Sequence, residues 1–233
     1  MLDQRWRAEV EKGLRPIGSR LRQAGITADQ VTLLGLVASA GTGVAIASGH
    51  LGWGAAGLAC SGVTDVLDGA VAKSGGTSGP RGSFFDSVAD RLSDALVLGG
   101  AAWYLAGTDP QLSVLPFAVA TASFLVSYER SKAEALGFNG KGGLMERAER
   151  MAVLGVGLTF GVLIPALWLL LALTSLTVGQ RFLKVWQQAT PDFTSFRGDA
   201  RFAGWWLTGR TRADDVPVTR WRWAPRPAGE LRG

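Results

Sequence analysis

The sequence predicts an all-α integral membrane protein, with six transmembrane helices preceded by an N-terminal amphipathic helix lying along the interface. Three observations predict it. Hydrophobic residues make up 47% of the chain and charged residues only 18%, a balance suited to membrane helices rather than to a soluble core. Lys and Arg are absent from residues 31–72, 92–129 and 151–180, and each gap is long enough for two spans of ~20 residues joined by a short turn. All basic residues fall in the four remaining stretches, so the positive-inside rule places those stretches and both termini on the cytoplasmic side of the plasma membrane.

The N-terminal segment, residues 1–26, repeats Leu2, Trp6, Val10, Leu14, Ile17 and Leu21 at steps of three and four, while Arg5, Arg7, Lys12, Arg15, Arg20 and Arg22 take other faces. That pattern is a basic amphipathic helix with its apolar face in the acyl boundary and its arginines near anionic headgroups. It has no apolar stretch followed by a small-residue cleavage site, so no cleaved signal peptide is expected. Residues 27–189 hold the spans, expected at 30–48, 51–70, 84–106, 112–134, 143–163 and 165–187. Thr27, followed three residues later by Gln30, fits a capping box that opens the first span. Turns near His50, 108–110 and 163–165 face outward. Trp53, Trp103, Trp168 and Trp186 lie near span ends, where indoles favour the headgroup region. Residues 190–233 form a polar, arginine-rich cytoplasmic tail without clear periodicity. The lone Cys60 and the lone His50 exclude an intrachain disulfide and a cysteine-based metal cage, and they argue against serine–histidine hydrolysis.

Against this apolar background Asp65 and Asp68 stand i, i+3 near the end of the second span, and Asp86 and Asp90 stand i, i+4 near the start of the third. An ionised Asp at a helix centre costs roughly 2.5–3.5 kcal/mol, so the four face one another across a cytoplasmic connection and not lipid. Such a cluster needs cations, and an all-oxygen donor set suits two hard divalent ions, Mg²⁺ or Mn²⁺. Room left on such ions suits a phosphate-bearing substrate. Gly69, Gly75, Gly76, Gly79 and Gly82 leave the connection open to close approach by phosphates.

Written out, Asp65-x2-Asp68-Gly69-x2-Ala72-Lys73-x8-Gly82-x3-Asp86-x3-Asp90 resembles the signature of the CDP-alcohol phosphatidyltransferases, departing at Lys73, where that family has Arg. The resemblance covers about residues 30–187. It implies a six-helix membrane enzyme that displaces CMP from CDP-diacylglycerol with an alcohol. It further implies that Asp65, Asp68 and Asp86 ligate two metal ions, and that Asp90 contacts metal and acts as general base. By the same resemblance, Asp29, Gln30, Val31, Thr32, Gly69, Lys73 and Gly79 contact the CDP-lipid, and the enzyme pairs as a homodimer. An ammonium at Lys73 cannot reproduce a bidentate guanidinium fork.

A second basic group lies in SYERSKAEALGFNGKGGLMERAERM. Arg147 and Arg150 share a helix face, and Arg130 and Lys132 close the preceding span, so together they can enclose one anion. That suggests a phosphorylated acceptor. The segment resembles the actinobacterial phosphatidylinositol phosphate synthase branch of the family, in which positions matching Arg130, Arg147 and Arg150 hold myo-inositol 3-phosphate; Ala148 departs from the Pro often found there. Phosphatidylglycerophosphate synthesis from glycerol 3-phosphate is the alternative, with a prenyltransferase or a divalent-cation transporter more remote. No nucleic-acid partner is expected.

Overall fold

The computed structural model describes residues 16–74 and 79–190, the side chains of 73 and 74 excepted. A helical stretch, 16–23, precedes six longer helices among the described residues: α1 (Ala28–Ala47), α2 (Leu51–Ser74), α3 (Pro80–Thr108), α4 (Val114–Ala135), α5 (Arg147–Thr159) and α6 (Leu163–Ala189). No strand occurs among the described residues. Most of the expected amphipathic helix, residues 1–15, and all but the first residue of the expected tail, 191–233, lie outside them.

The opening of α1 follows the sequence reading. The Thr27 hydroxyl accepts from the Gln30 N–H at 3.3 Å, and the Gln30 side-chain oxygen accepts from the Thr27 N–H at 3.0 Å, satisfying two donors that a helix start otherwise leaves bare. Gly49 takes φ 81° and turns the chain at an exposed His50. Pro80 then opens α3 behind the Gly79 N-cap, a position where its missing N–H costs nothing.

Four segments are long and apolar enough to cross a membrane: Ala28–Ala47, Leu51–Ala72, Pro110–Ala135 and Leu163–Ala189. Their outward side chains, including Leu33, Leu34, Val37 and Val44 on α1, are exposed apolar groups, as lipid-facing residues are. The protein is thus a helical membrane protein with four such spans, where the sequence predicted six. Two helices differ from the expectation. α3 is long, but it carries Arg81, Asp86, Asp90, Arg91 and Asp94 in its first half. α5 has 13 residues, about 20 Å at 1.5 Å per residue against a hydrocarbon core of ~30 Å. Its start falls at Arg147 and not at 143, because Gly142 and Gly143 adopt φ 96° and 149°, which a continuing helix cannot use. Its end comes at Gly161, φ 67°. The turn into α6 therefore precedes Leu163, and Pro165 sits in the first helical turn, where proline is tolerated.

Helix α1 packs on both α2 and α3, α5 on α2 and α6, and α4 on α3 and α6. The first group is drawn together by small residues. A Cβ on Gly43 would lie 2.5 Å from the Leu96 carbonyl oxygen, and one on Gly100 would run into the backbone of Gly43. The apolar core joins Ile46, Leu58, Val97, Val119, Leu158 and Leu167, from every helix of the bundle. Trp53, Trp103, Trp168 and Trp186 are all exposed near helix ends, the placement expected of interfacial indoles.

Candidate active site

The acidic residues gather between the last turns of α2 and the first turns of α3, two helices that both pack on α1. On α3 Asp86, Asp90 and Asp94 follow at i, i+4 and i+8 and share one helical face. Asp68 is buried, and its Oδ2 accepts from the Thr32 hydroxyl at 2.8 Å, which ties the α1 segment expected to contact the CDP-lipid to the carboxylates of α2. Asp86 is exposed and repels Asp65, Asp68 and Asp90 electrostatically. Close helix approach keeps the walls together: a Cβ on Gly35 of α1 would meet the Thr64 hydroxyl oxygen at 2.5 Å, one residue before Asp65. Gly69 borders open space, and a Cβ at Gly82 would stand 3.8 Å from the Asp29 carboxylate. The side chain of Lys73, with Gly75 and Gly76, lies outside the described residues.

The sequence did not predict what lies between the two acidic pairs. The Arg147 guanidinium, from the first turn of α5, bridges them: its Nη1 ion-pairs with Asp65 and with Asp90 Oδ1, the latter at 2.5 Å. Asp90 Oδ2 pairs in addition with Arg91 at 3.2 Å. As the side chains stand, no three acidic groups among the described residues converge on one metal-binding point. Asp65, Asp68, Asp86 and Asp90 nonetheless fit a hard divalent cation: they are oxygen donors from two helices held on α1, and their mutual repulsion calls for positive charge. The Arg147 nitrogen shared by two of them is a stand-in cation. A divalent ion held by these carboxylates would compete with the guanidinium for the same oxygens.

Arg147 and Arg150 also share Asp94, a residue the sequence reading missed. Arg150 Nη2 lies 3.0 Å from Asp94 Oδ2 and Arg147 Nε 3.4 Å from Asp94 Oδ1. The second terminal nitrogen of Arg147 is buried without a hydrogen-bond partner, leaving a donor for an incoming anion. The other two expected members of the basic group stand apart. Arg130 pairs with Glu134 at 3.1 Å on an exposed helix face, and Lys132 is exposed in the last turn of α4. In their stead a second missed residue, Arg181 of α6, is buried within electrostatic range of Arg130 and Arg150. It donates to the Val126 carbonyl at 2.5 Å and to the Gly142 carbonyl at 2.8 Å.

Arg181 belongs to a stripe on α6 that laces down the loop leading into α5. Thr177 accepts from the Met145 N–H at 3.1 Å, Lys184 donates to the Lys141 carbonyl at 2.5 Å, and the Gln188 amide pairs with both backbone groups of Asn139, at 2.8 and 3.1 Å. These four α6 residues recur at steps of three and four and so share a face. The loop they hold delivers Arg147 and Arg150 to the carboxylates.

Residues 25–187 match the family described as CDP-alcohol phosphatidyltransferase. The archaetidylinositol phosphate synthase of Methanothermobacter thermautotrophicus is 37% identical over 195 residues, covering 81% of this chain and 95% of that one. The phosphatidylinositol phosphate synthase of Mycobacterium marinum is 36% identical, covering 77% and 82%. Among solved structures, the Mycobacterium tuberculosis phosphatidylinositol phosphate synthase with CDP-DAG bound superposes with a TM-score of 0.70 at 31% identity, covering 77% of this chain and 95% of that chain. The same enzyme in complex with manganese and citrate gives a TM-score of 0.70, covering 77% and 90%.

Proposed function

Because this chain belongs to the CDP-alcohol phosphatidyltransferase family, we propose that it transfers the phosphatidyl group of CDP-diacylglycerol to a hydroxyl of myo-inositol 3-phosphate, releasing CMP and forming phosphatidylinositol phosphate. The observation that carries the reading is the meeting of Arg147 with Asp65 and Asp90. It puts a cation fit for an acceptor phosphate directly beside carboxylates fit for the metal-held donor. The names of the relatives support the same acceptor class, and a relative's structures with CDP-DAG and with manganese support the donor and a divalent ion.

Asp65, Asp68, Asp86 and Asp90 would hold two ions, Mg²⁺ or Mn²⁺. When bound, such ions neutralise pyrophosphate charge and favour departure of CMP. Asp90 takes the proton of the attacking acceptor hydroxyl; its place on the wall that faces Arg147 puts it next to the acceptor side. Thr32 holds Asp68 in place, and Asp29, Gln30, Val31, Thr32, Gly69, Lys73 and Gly79 are the residues we assign to the CDP-lipid. Arg147 and Arg150 clamp the acceptor phosphate, with Arg130, Lys132 and Arg181 adding positive field around it. A relayed transfer through the enzyme is not needed: one hydroxyl attacks one phosphorus and CMP leaves.

We further infer that all six helices cross the bilayer, α3 and α5 sheltered by their neighbours, with the carboxylate end at the cytoplasmic face and two copies of the chain paired in the membrane. The test of function is an acceptor panel with purified protein: CMP release with CDP-diacylglycerol and a divalent ion is expected with inositol 3-phosphate. Turnover with glycerol 3-phosphate alone would overturn the acceptor, and none with any alcohol would overturn the reaction.

A further inference from the structure

The acidic face of α3 extends one turn past the residues that match the family signature. Asp94 follows Asp90 by four, yet it stands in a different relation to the site. It repels Asp65 through space, and it pairs with two cations from another helix, Arg147 Nε at 3.4 Å and Arg150 Nη2 at 3.0 Å, one on each oxygen. The pair it makes is largely buried, with side-chain exposures of 16% for Asp94 and 9% for Arg150. Two neighbouring guanidinium groups repel one another, and a carboxylate placed between them offsets that repulsion.

From this geometry we propose that Asp94 is a positioning residue that holds Arg147 and Arg150 side by side as a two-pronged receptor for the acceptor phosphate. The inference rests on the acceptor reading given above. Arg147 is contested. Its Nη1 is drawn to Asp65 and Asp90, its Nε to Asp94, and its Nη2 is buried and unpartnered. Asp94 is the one anchor of this group outside the proposed metal set, so it is the one that persists when an ion takes Asp65 and Asp90. With Asp94 in place the freed guanidinium stays next to Arg150 and turns its open edge to the acceptor. Without it, Arg147 has the metal ligands alone to pair with, and two defects follow together: a weaker acceptor clamp and stronger competition with the ion.

Beside the Asp94–Arg150 pair lies a cavity of about 30 Å³ lined by Ser93, Val97, Ser123, Met151 and Leu154 among others, with room for one or two waters. An Asn, of the same size as Asp, fits here without repacking.

The experiment is steady-state kinetics of full-length Asp94→Asn and Asp94→Glu in detergent or vesicles, with inositol 3-phosphate, CDP-diacylglycerol and Mn²⁺ each varied, together with Mn²⁺ binding read by electron paramagnetic resonance in the absence of substrates. Asp94→Asn is expected to raise the acceptor KM about ten- to a hundred-fold, to weaken Mn²⁺ binding several-fold and to leave the KM for CDP-diacylglycerol within about two-fold. Asp94→Glu, which keeps the charge, is expected to recover most of the acceptor KM. An unchanged acceptor KM in Asp94→Asn, or equal losses for both substrates, overturns the positioning role. If Asp94→Asn does not accumulate, Asp94→Ala is measured in its place: a rise confined to the acceptor KM supports the role, and an unchanged acceptor KM or a rise in both KM values overturns it. Failure of the wild type to release CMP with any phosphorylated alcohol strikes the acceptor reading, an outcome seen before any variant is compared.

Discussion

A carboxylate that accepts a proton and one that only holds charge are written with the same letter, and what separates them is the neighbour each one faces. Asp90 faces Arg147 and sits at the junction of the two proposed substrates. Asp90→Asn should lower kcat by at least about 10²–10⁴-fold while the protein still inserts and still binds CDP-diacylglycerol; near-normal CMP release would remove the proposed base. Arg147→Ala combined with Arg150→Ala should raise the acceptor KM far more than that of the CDP-lipid, and equal effects on both would dissolve the acceptor clamp. At this scale the sequence is clear where spacing is fixed: Asp65, Asp68, Asp86 and Asp90 are legible because four acids at those intervals in an apolar stretch have few other uses. Asp94 is not legible, since its partners are distant in the chain and only the fold brings α5 to it. Arg181 is hidden for a related reason: as the first basic residue after a long apolar run it looks like an interfacial anchor, and only its burial against Val126 and Gly142 shows otherwise.

The helices that carry these residues are set by local chemistry of different strengths. The capping box of α1 and the Pro80 start of α3 were readable because each depends on residues within one turn. The start of α5 was not, since Gly142 and Gly143 look like small membrane-packing residues until their backbone angles are known. Once α5 begins at Arg147, its arginines depend on the loop that α6 holds. Replacing Thr177 by Val keeps the shape but removes the acceptor of the buried Met145 N–H, a loss of about 1–3 kcal/mol. The expected result is a melting temperature lower by a few degrees and an acceptor KM raised several-fold at constant CDP-diacylglycerol KM. A melting change with no change in acceptor KM would show that the loop does not set the arginines. On the other side of the bundle, Gly100→Leu places a branched side chain against the backbone of Gly43, and overpacking there typically costs 1–3 kcal/mol or more; loss of folded protein on size-exclusion chromatography is expected.

Across the whole molecule the division of labour is by group of helices. α1, α2 and α3 carry the residues proposed for donor and metal, and α4, α5 and α6 carry the cations proposed for the acceptor. Chelation of divalent ions should abolish CMP release and Mn²⁺ should restore it; activity that survives chelation would exclude the two-ion reading. The sidedness proposed from the basic residues is checked by moving the single thiol: in a Cys60→Ser background, a Cys at position 50 should react with an impermeant maleimide added outside intact cells. The three long gaps in Lys and Arg made the number of long helices readable, whereas which helices qualify as spans by length and apolarity was not, because the acidic face of α3 lowers its hydropathy.

The contact of Gly43 with Gly100 has one more outcome. Two backbones that touch with no side chain between them leave nothing to repack, so α1 and α3 are expected to move as one body. Spin labels placed across α3 and α5 should then report broader distances than labels across α1 and α3.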